Sequence, residues 1–158
     1  MNQVMMRFEP LQETEFHDYW QYAVDSWMRD MIEAGFIDSN ISKEDAEAEV
    51  NRFLPQGMKT PGHYFFNVVE NDENVGKVWV GVRTRSGTLE AFLWDIVIDE
   101  KHRGKGYGKG AMILMEDFAR KKGAKKISLN VFAYNDVARN LYRKTGYRES
   151  AITMIKTL

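Results

Sequence analysis

The sequence predicts an α/β fold, with a mixed sheet of six to seven strands, an antiparallel N-terminal meander and helices on both faces. Three observations carry this. The runs "YFFNVVE", "VGKVWVGVRT" and "LEAFLWDIVI" are rich in β-branched and aromatic residues, and "NDEN" and "RSG" separate them at hairpin lengths. Apolar residues recur at helical spacing before that meander and again after it. A length of 158 residues suits one domain spanning 1–158, with enough chain to bury a core.

The elements follow in order. "MMRFEPL" reads as a short first strand. Phe16, Tyr19, Trp20, Ala23, Val24, Trp27, Met31 and Ile32 then make one face of a helix from about residue 13 to 34, ended by Gly35. The stripe Phe16–Trp20–Trp27 reads as core rather than a ligand box. Ser42 opens an acidic second helix, with Asp45 three residues on as in a capping box. "LPQGMKTPGH" is a loop by its Pro and Gly content. After the meander a helix is predicted over 108–122. It ends in Arg120, Lys121, Lys122 and Gly123, cations at the negative end of the dipole before a glycine stop. "KISLNVF" is a strand, Asn135 caps a helix ending at Gly146, and "YRESAITMIKTL" supplies one or two last strands.

Composition narrows the chemistry. Hydrophobic and charged fractions of 44% and 28% are ordinary for a globular chain. No apolar run approaches a membrane span, and "MNQVMMRFEPLQ" lacks the features of a secretory leader, so a cytoplasmic protein without membrane association is expected. With no cysteine there is no disulfide, thiol nucleophile or thiolate metal site. His17, His63 and His102 lack ligand spacing, and no metal is expected. Charge is uneven: residues 1–100 hold 8 Lys/Arg against 19 Asp/Glu, and residues 101–158 hold 14 against 4. A basic half suits an anionic partner, either nucleic acid or a small polyphosphate, unless the two faces merely neutralise each other.

The segment "HRGKGYGKGAM", residues 102–112, decides between these partners. A strand feeds it and a helix leaves it. Unpaired N–H groups at a helix start attract anions, glycines admit close approach, and Arg103, Lys105 and Lys109 add charge. A Walker loop fails because Gly104 is followed by neither the spacing nor the Ser/Thr required. Gly106-x-Gly108-x-x-Ala111 matches a dinucleotide fingerprint, but "KISLNVF" lacks the acid that closes it and the feeding strand ends an antiparallel meander.

With Arg103, Gly106 and Gly108 at its defining positions, the segment resembles the pyrophosphate loop of the GCN5-related N-acetyltransferase (GNAT) family. "NDVARNLYRKTGY" is similar to a second family segment, through Asn135, Ala138, Tyr142, Gly146 and Tyr147. The resemblance is strongest over residues 89–148. It implies a GNAT-type fold, acetyl-CoA as co-substrate, and acetyl transfer to a primary amine of a small-molecule or peptide acceptor, with no nucleic-acid partner. The pantetheine arm would pair with the backbone of Ile96, Val97 and Ile98. The backbone of Arg103, Gly104, Lys105, Gly106, Tyr107, Gly108 and Lys109 would hold the pyrophosphate. The Asn135 side chain would contact the CoA arm, and Tyr142 would protonate the departing thiolate. Core packing is the competing reading of Tyr142.

An ammonium has no lone pair, so the reaction also needs a base. Glu90 and Asp95 are the candidates, with an ordered water as relay, and an N–H near Val97 would serve the developing oxyanion. Asp95 lies inside an apolar run, where burial would raise its pKa; a hydrogen-bonded structural acid at a strand irregularity is the competing reading. Other members place a glutamate where this chain has Asn130. The acidic segment with Glu44, Glu47 and Glu49 would favour an amine acceptor. Lys121, Lys122, Lys125 and Lys126 read as a solvated helix end. A non-catalytic CoA-binding module is the alternative function, and the aromatic N-terminal helix with the last strands could form a homodimer face.

Overall fold

A computed structural model of the chain describes residues 5–158; the first four residues, part of the stretch read for a leader, lie outside the described residues. The described residues divide into two compact units. One holds residues up to Glu15 together with Met58–Asn130, and the other holds Phe16–Gly57 and Val131–Leu158.

The first unit is built on a sheet ordered β1-β2-β3-β4-β5. Its strands are β1 (Met6–Pro10), β2 (His63–Glu70), β3 (Glu73–Arg85), β4 (Thr88–Ile98) and β5 (Lys126–Leu129). The first four pair antiparallel, and β5 joins β4 in parallel. Two-residue turns join the meander. Asn71 and Asp72 have φ of 46° and 68°, and Ser86 and Gly87 have 50° and 75°. Positive φ at both central positions is the type I′ condition, whose twist matches that of the strands it connects.

Helix α3 (Tyr107–Lys121) covers one face of this sheet. Ala111, Met112, Met115 and Ala119 recur at helical spacing and are all buried. Phe118 meets the rings of Tyr64 and Phe66 edge-on, at 5.0 and 5.1 Å. The helix closes on Gly123 (φ 85°), with Gly123 N–H donating to Arg120 O and Ala124 N–H to Ala119 O. That reciprocal pair is a Schellman stop.

The second unit contains α2 (Lys43–Asn51), α4 (Asp136–Lys144) and all of α1 (Glu13–Glu33) beyond Glu15. Ser42 caps α2 as expected, its hydroxyl accepting from Asp45 N–H at 3.1 Å. Trp20 Nε1 donates to Asn51 Oδ1 at 3.0 Å, tying α1 to α2, and Tyr134 Oη donates to Asp30 Oδ1 at 2.8 Å.

The strand count corrects the expectation of six to seven. Five strands are present among the described residues, and residues 147–158 form none. Their alternating apolar side chains are not buried: Ile152 is 77% exposed and Met154 91%. A strand is stabilised by a ladder and a covered face, and this segment has neither here. β5 is also shorter than "KISLNVF", stopping at Leu129.

Candidate active site

The site begins with a register break. Val80 pairs with Leu93 but Trp79 pairs with Asp95, so Trp94 is the extra residue of a β-bulge. A bulge bends its strand and sharpens the twist. The pairing of β4 with β5 runs from Glu90↔Lys126 to Leu93↔Leu129 and stops at this point. Beyond it, Ile96, Val97 and Ile98 continue β4 along an edge that β5 no longer covers. The three residues read as a backbone partner for an extended ligand therefore sit on such an edge.

The bulge is held by aromatic packing. Trp94 stacks on Trp79 at 5.0 Å with 14° between the ring planes. Gly81 makes room for it, since a Cβ there would stand 2.7 Å from Trp94 Nε1. Trp79 Nε1 donates to His63 Nδ1 at 3.0 Å. Burial and the nearby Arg83 charge lower the His63 pKa, so the neutral ring that accepts this bond is the stable form. Asp95 lies half-buried beside the bulge, opposite Trp79.

At the end of β4 the chain turns through residues 99–106 into α3. Arg103 Nε donates to Ile98 O at 3.0 Å, clipping the loop to the strand. Gly104 and Gly106 have φ of 75° and 84°, and a Cβ on either would meet nothing within 4 Å. These glycines are required by backbone conformation, and the space above them is open. The first α3 bond of this kind runs from Gly110 N–H to Gly106 O. Tyr107, Gly108 and Lys109 therefore present N–H groups that the helix cannot satisfy. With the dipole and the exposed Lys105 and Lys109, this is a positive, backbone-lined cradle that could hold an anion. The Tyr107 side chain is occupied elsewhere, bonded to Glu70, which raises its pKa. Gly110 has another reason to be glycine: its Cβ would collide with the Met6 side chain of β1.

Glu90 sits apart from this cradle, near the start of β4. Its side chain is 1% exposed. Arg83 Nε donates to Oε1 at 3.0 Å, Arg85 Nη1 stands 3.9 Å from Oε1, and Lys126 Nζ is 3.4 Å from Oε2. Burial pushes its pKa up, but the Arg83 and Lys126 contacts outweigh that and leave it below the ordinary value. This is the opposite of what a base needs. Lys126 is thus a strand residue paired to a buried acid, not part of a solvated helix end. Lys122, the exposed C-cap residue of α3, lies over the Tyr64 ring at 4.6 Å. The sequence patterns above do not bring out the Arg83–Arg85–Lys126 group. A signal for it exists, because a two-residue turn at Ser86-Gly87 fixes Arg83 opposite Glu90.

In the second unit, Asn135 caps α4, its Oδ1 accepting from Ala138 N–H at 3.1 Å. Its amide nitrogen is a donor that the cap does not use. Tyr142 is buried, two turns along the same helix. α4 ends in a Schellman motif: Gly146 (φ 94°) donates to Arg143 O, and Tyr147 N–H to Tyr142 O. The spacing Tyr142-x-x-x-Gly146-Tyr147 is thereby explained as a stop that folds Tyr147 against Tyr142. Among the described residues no group of three or more His, Asp or Glu could hold a metal ion, and no helix is long and apolar enough to cross a membrane.

The family described as "Acetyltransferase (GNAT) family" matches residues 16–147. Two proteins of Bacillus subtilis (strain 168), described as the uncharacterized N-acetyltransferases YycN and YdgE, are similar along nearly all of their length. YycN is 33% identical over 94% of this chain and 96% of its own, and YdgE is 30% identical over 95% and 96%. The crystal structure of YycN superposes with a TM-score of 0.91 at 32% identity, covering 98% of this chain and 99% of that one. A predicted acetyltransferase from Clostridium acetobutylicum, solved with acetyl-CoA, shares the fold with a TM-score of 0.66 at 17% identity, over 97% of this chain and 96% of that one.

Proposed function

Because this chain belongs to the acetyltransferase (GNAT) family and is an N-acetyltransferase by class, we propose that it moves the acetyl group of acetyl-CoA to a primary amine by direct attack in a ternary complex. The observation that carries this reading is the β4 edge beyond the end of β5, which leads into the glycine cradle. An extended neutral arm ending in a diphosphate needs a strand edge followed by a helix start. Ile96, Val97 and Ile98 offer the edge, and the backbone of residues 103–109 holds the charged end. We take residues 1–158 as one acetyltransferase domain, since the relatives and this chain cover each other almost fully.

Acetyl-CoA supplies an activated thioester; the chain's residues bind, orient and move protons. The amine nitrogen bonds the acetyl carbon, the carbon–sulfur bond breaks, and one proton must leave the nitrogen while another reaches the sulfur. Of the two candidate carboxylates we assign the first task to Asp95, directly or through a water. Glu90 does not enter, because its ionised form is held by three cations. A backbone N–H near Val97 stabilises the oxyanion. Tyr142 donates to the thiolate and Asn135 contacts the CoA arm, roles carried over from the family segment. The acidic residues Glu44, Glu47 and Glu49 favour an amine over a neutral acceptor.

Two measurements test this. Acetyl-CoA at one hundred times its dissociation constant should stabilise the fold by about 2.7 kcal/mol; the absence of any thermal shift would remove the reading. Thiol release across a panel of amines separates an enzyme from a binding module, which would show the shift without turnover.

A further inference from the structure

Three cations surround the one buried carboxylate of Glu90, so the group keeps a net positive charge. Arg83 and Lys126 hold the carboxylate at 3.0 and 3.4 Å and offset its burial. Arg85 stands 3.9 Å away as the third cation, and all three cationic side chains are exposed. The Arg83 guanidinium lies over the Phe92 ring, 4.7 Å from its centroid. That contact and the Nε bond hold the guanidinium, and the bond to Glu90 uses neither Nη group. A held guanidinium fork matches the oxygens of a carboxylate or phosphate.

The position of this group matters as much as its charge. Side chains alternate along a strand, so Glu90 and Phe92 share one face of β4, and Arg83 is paired with Glu90. Alternation puts Trp94 on that face too, where it stacks on Trp79, and the bulge brings Asp95 there as the partner of Trp79. One face therefore carries a cationic group at the start of β4 and the proposed base beside the bulge. Four strand rises separate them, roughly 13 Å at the usual spacing.

We propose that Arg83, Arg85 and Lys126 form an oxyanion subsite for the acceptor, so that the favoured substrate carries its primary amine at one end and a carboxylate or phosphate at the other. This rests on the acetyl-transfer reading above and names its substrate class. The separation excludes a free α-amino acid, whose charged groups are too close together. It suits an extended acceptor of three or more peptide-like units. Glu90 then has a structural use: it arranges the cations without consuming all of their charge.

The test compares matched acceptors. Peptides of two to five residues with a free α-amino group are assayed as C-terminal carboxylate and as C-terminal amide, and ω-amino alkanols are assayed beside their phosphate esters. The anionic form should be favoured about tenfold or more in kcat/KM, chiefly through KM, once the chain is long enough to span the two sites. Which pair shows the preference identifies the oxyanion. R83Q and R85Q should reduce it to about twofold, leaving the amide forms and the KM for acetyl-CoA unchanged. Arg85 is the more exposed of the two, and R85Q keeps the test open if R83Q fails to fold. Equal rates for both forms in the unmodified protein overturn the inference, as does a loss in both variants that is the same for charged and neutral acceptors. Turnover without charge preference sinks only this inference. No turnover of any amine, with the acetyl-CoA thermal shift intact, sinks the acceptor reading beneath it.

Discussion

Tyr147 is folded back on Tyr142: its N–H donates to the Tyr142 carbonyl at 2.9 Å, and the two rings stand 6.0 Å apart. The contact joins the C″ and C3 positions of a Schellman stop, and Gly146 between them makes it possible at φ 94°. The residue proposed as the acid is therefore held by the way its own helix ends.

Gly146→Ala should cost about 1–2 kcal/mol, since no atom lies within 4 Å of the added Cβ and only the left-handed backbone resists it. Urea denaturation measures this. Turnover should fall more than acetyl-CoA affinity, because the Tyr142 position is disturbed and the cradle is not. An unchanged kcat would argue that the stop has no part in placing Tyr142.

Tyr142→Phe keeps the ring and removes the proton. Turnover should drop about 100-fold or more. Acetyl-CoA affinity, read by thermal shift, should stay near that of the parent. A variant with full turnover would return Tyr142 to the role of a core residue.

Gly106→Ala and Gly110→Ala separate ligand contact from packing. Gly106 has a positive φ under open space, so alanine there should cost about 1–2 kcal/mol and also weaken the acetyl-CoA thermal shift. Alanine at Gly110 meets only the flexible end of the Met6 side chain, which can turn aside, and it gains helix propensity, so stability should stay within about 1 kcal/mol of the parent with the acetyl-CoA thermal shift unchanged. A loss well above that would show that Met6 cannot move.

Acid stability should report Glu90. Its folded pKa lies below the ordinary 4.5, so its ionised form contributes stability above the unfolded pKa and loses it as pH falls through the folded value. Glu90→Gln should be less stable than the parent at pH 7, with three cations left unneutralised. The difference should shrink below about pH 4.5 as the parent's own carboxyl becomes protonated. A difference that stays constant from pH 7 to pH 3 would contradict the ionised assignment.

Local patterns are enough for the helices, the meander and the cradle. Ser42, Asn135, Gly123 and Gly146 mark helix ends through bonds made within a few residues, and such bonds do not depend on the rest of the fold. Gly104 and Gly106 likewise declare a backbone that only glycine enters readily. The family segments fall on these local features, which is why the order of residues alone makes them legible.

Register and burial are decided by residues far apart in the chain. The acid inside "FLWDIVI" hints at an irregularity, but that Trp94 is the extra residue, stacked on Trp79 in the space Gly81 leaves, is visible only across the two strands. The end of β5 at Leu129 follows from the same bend in its neighbour. Glu90 and Asp95 look alike as acids on one strand, yet a carboxylate's pKa is set by the charges and solvent around it. Three cations from β3 and β5 make Glu90 a held anion and leave Asp95 as the candidate base. Short-range bonding is written residue by residue, whereas an electrostatic environment exists only once distant strands have been brought side by side.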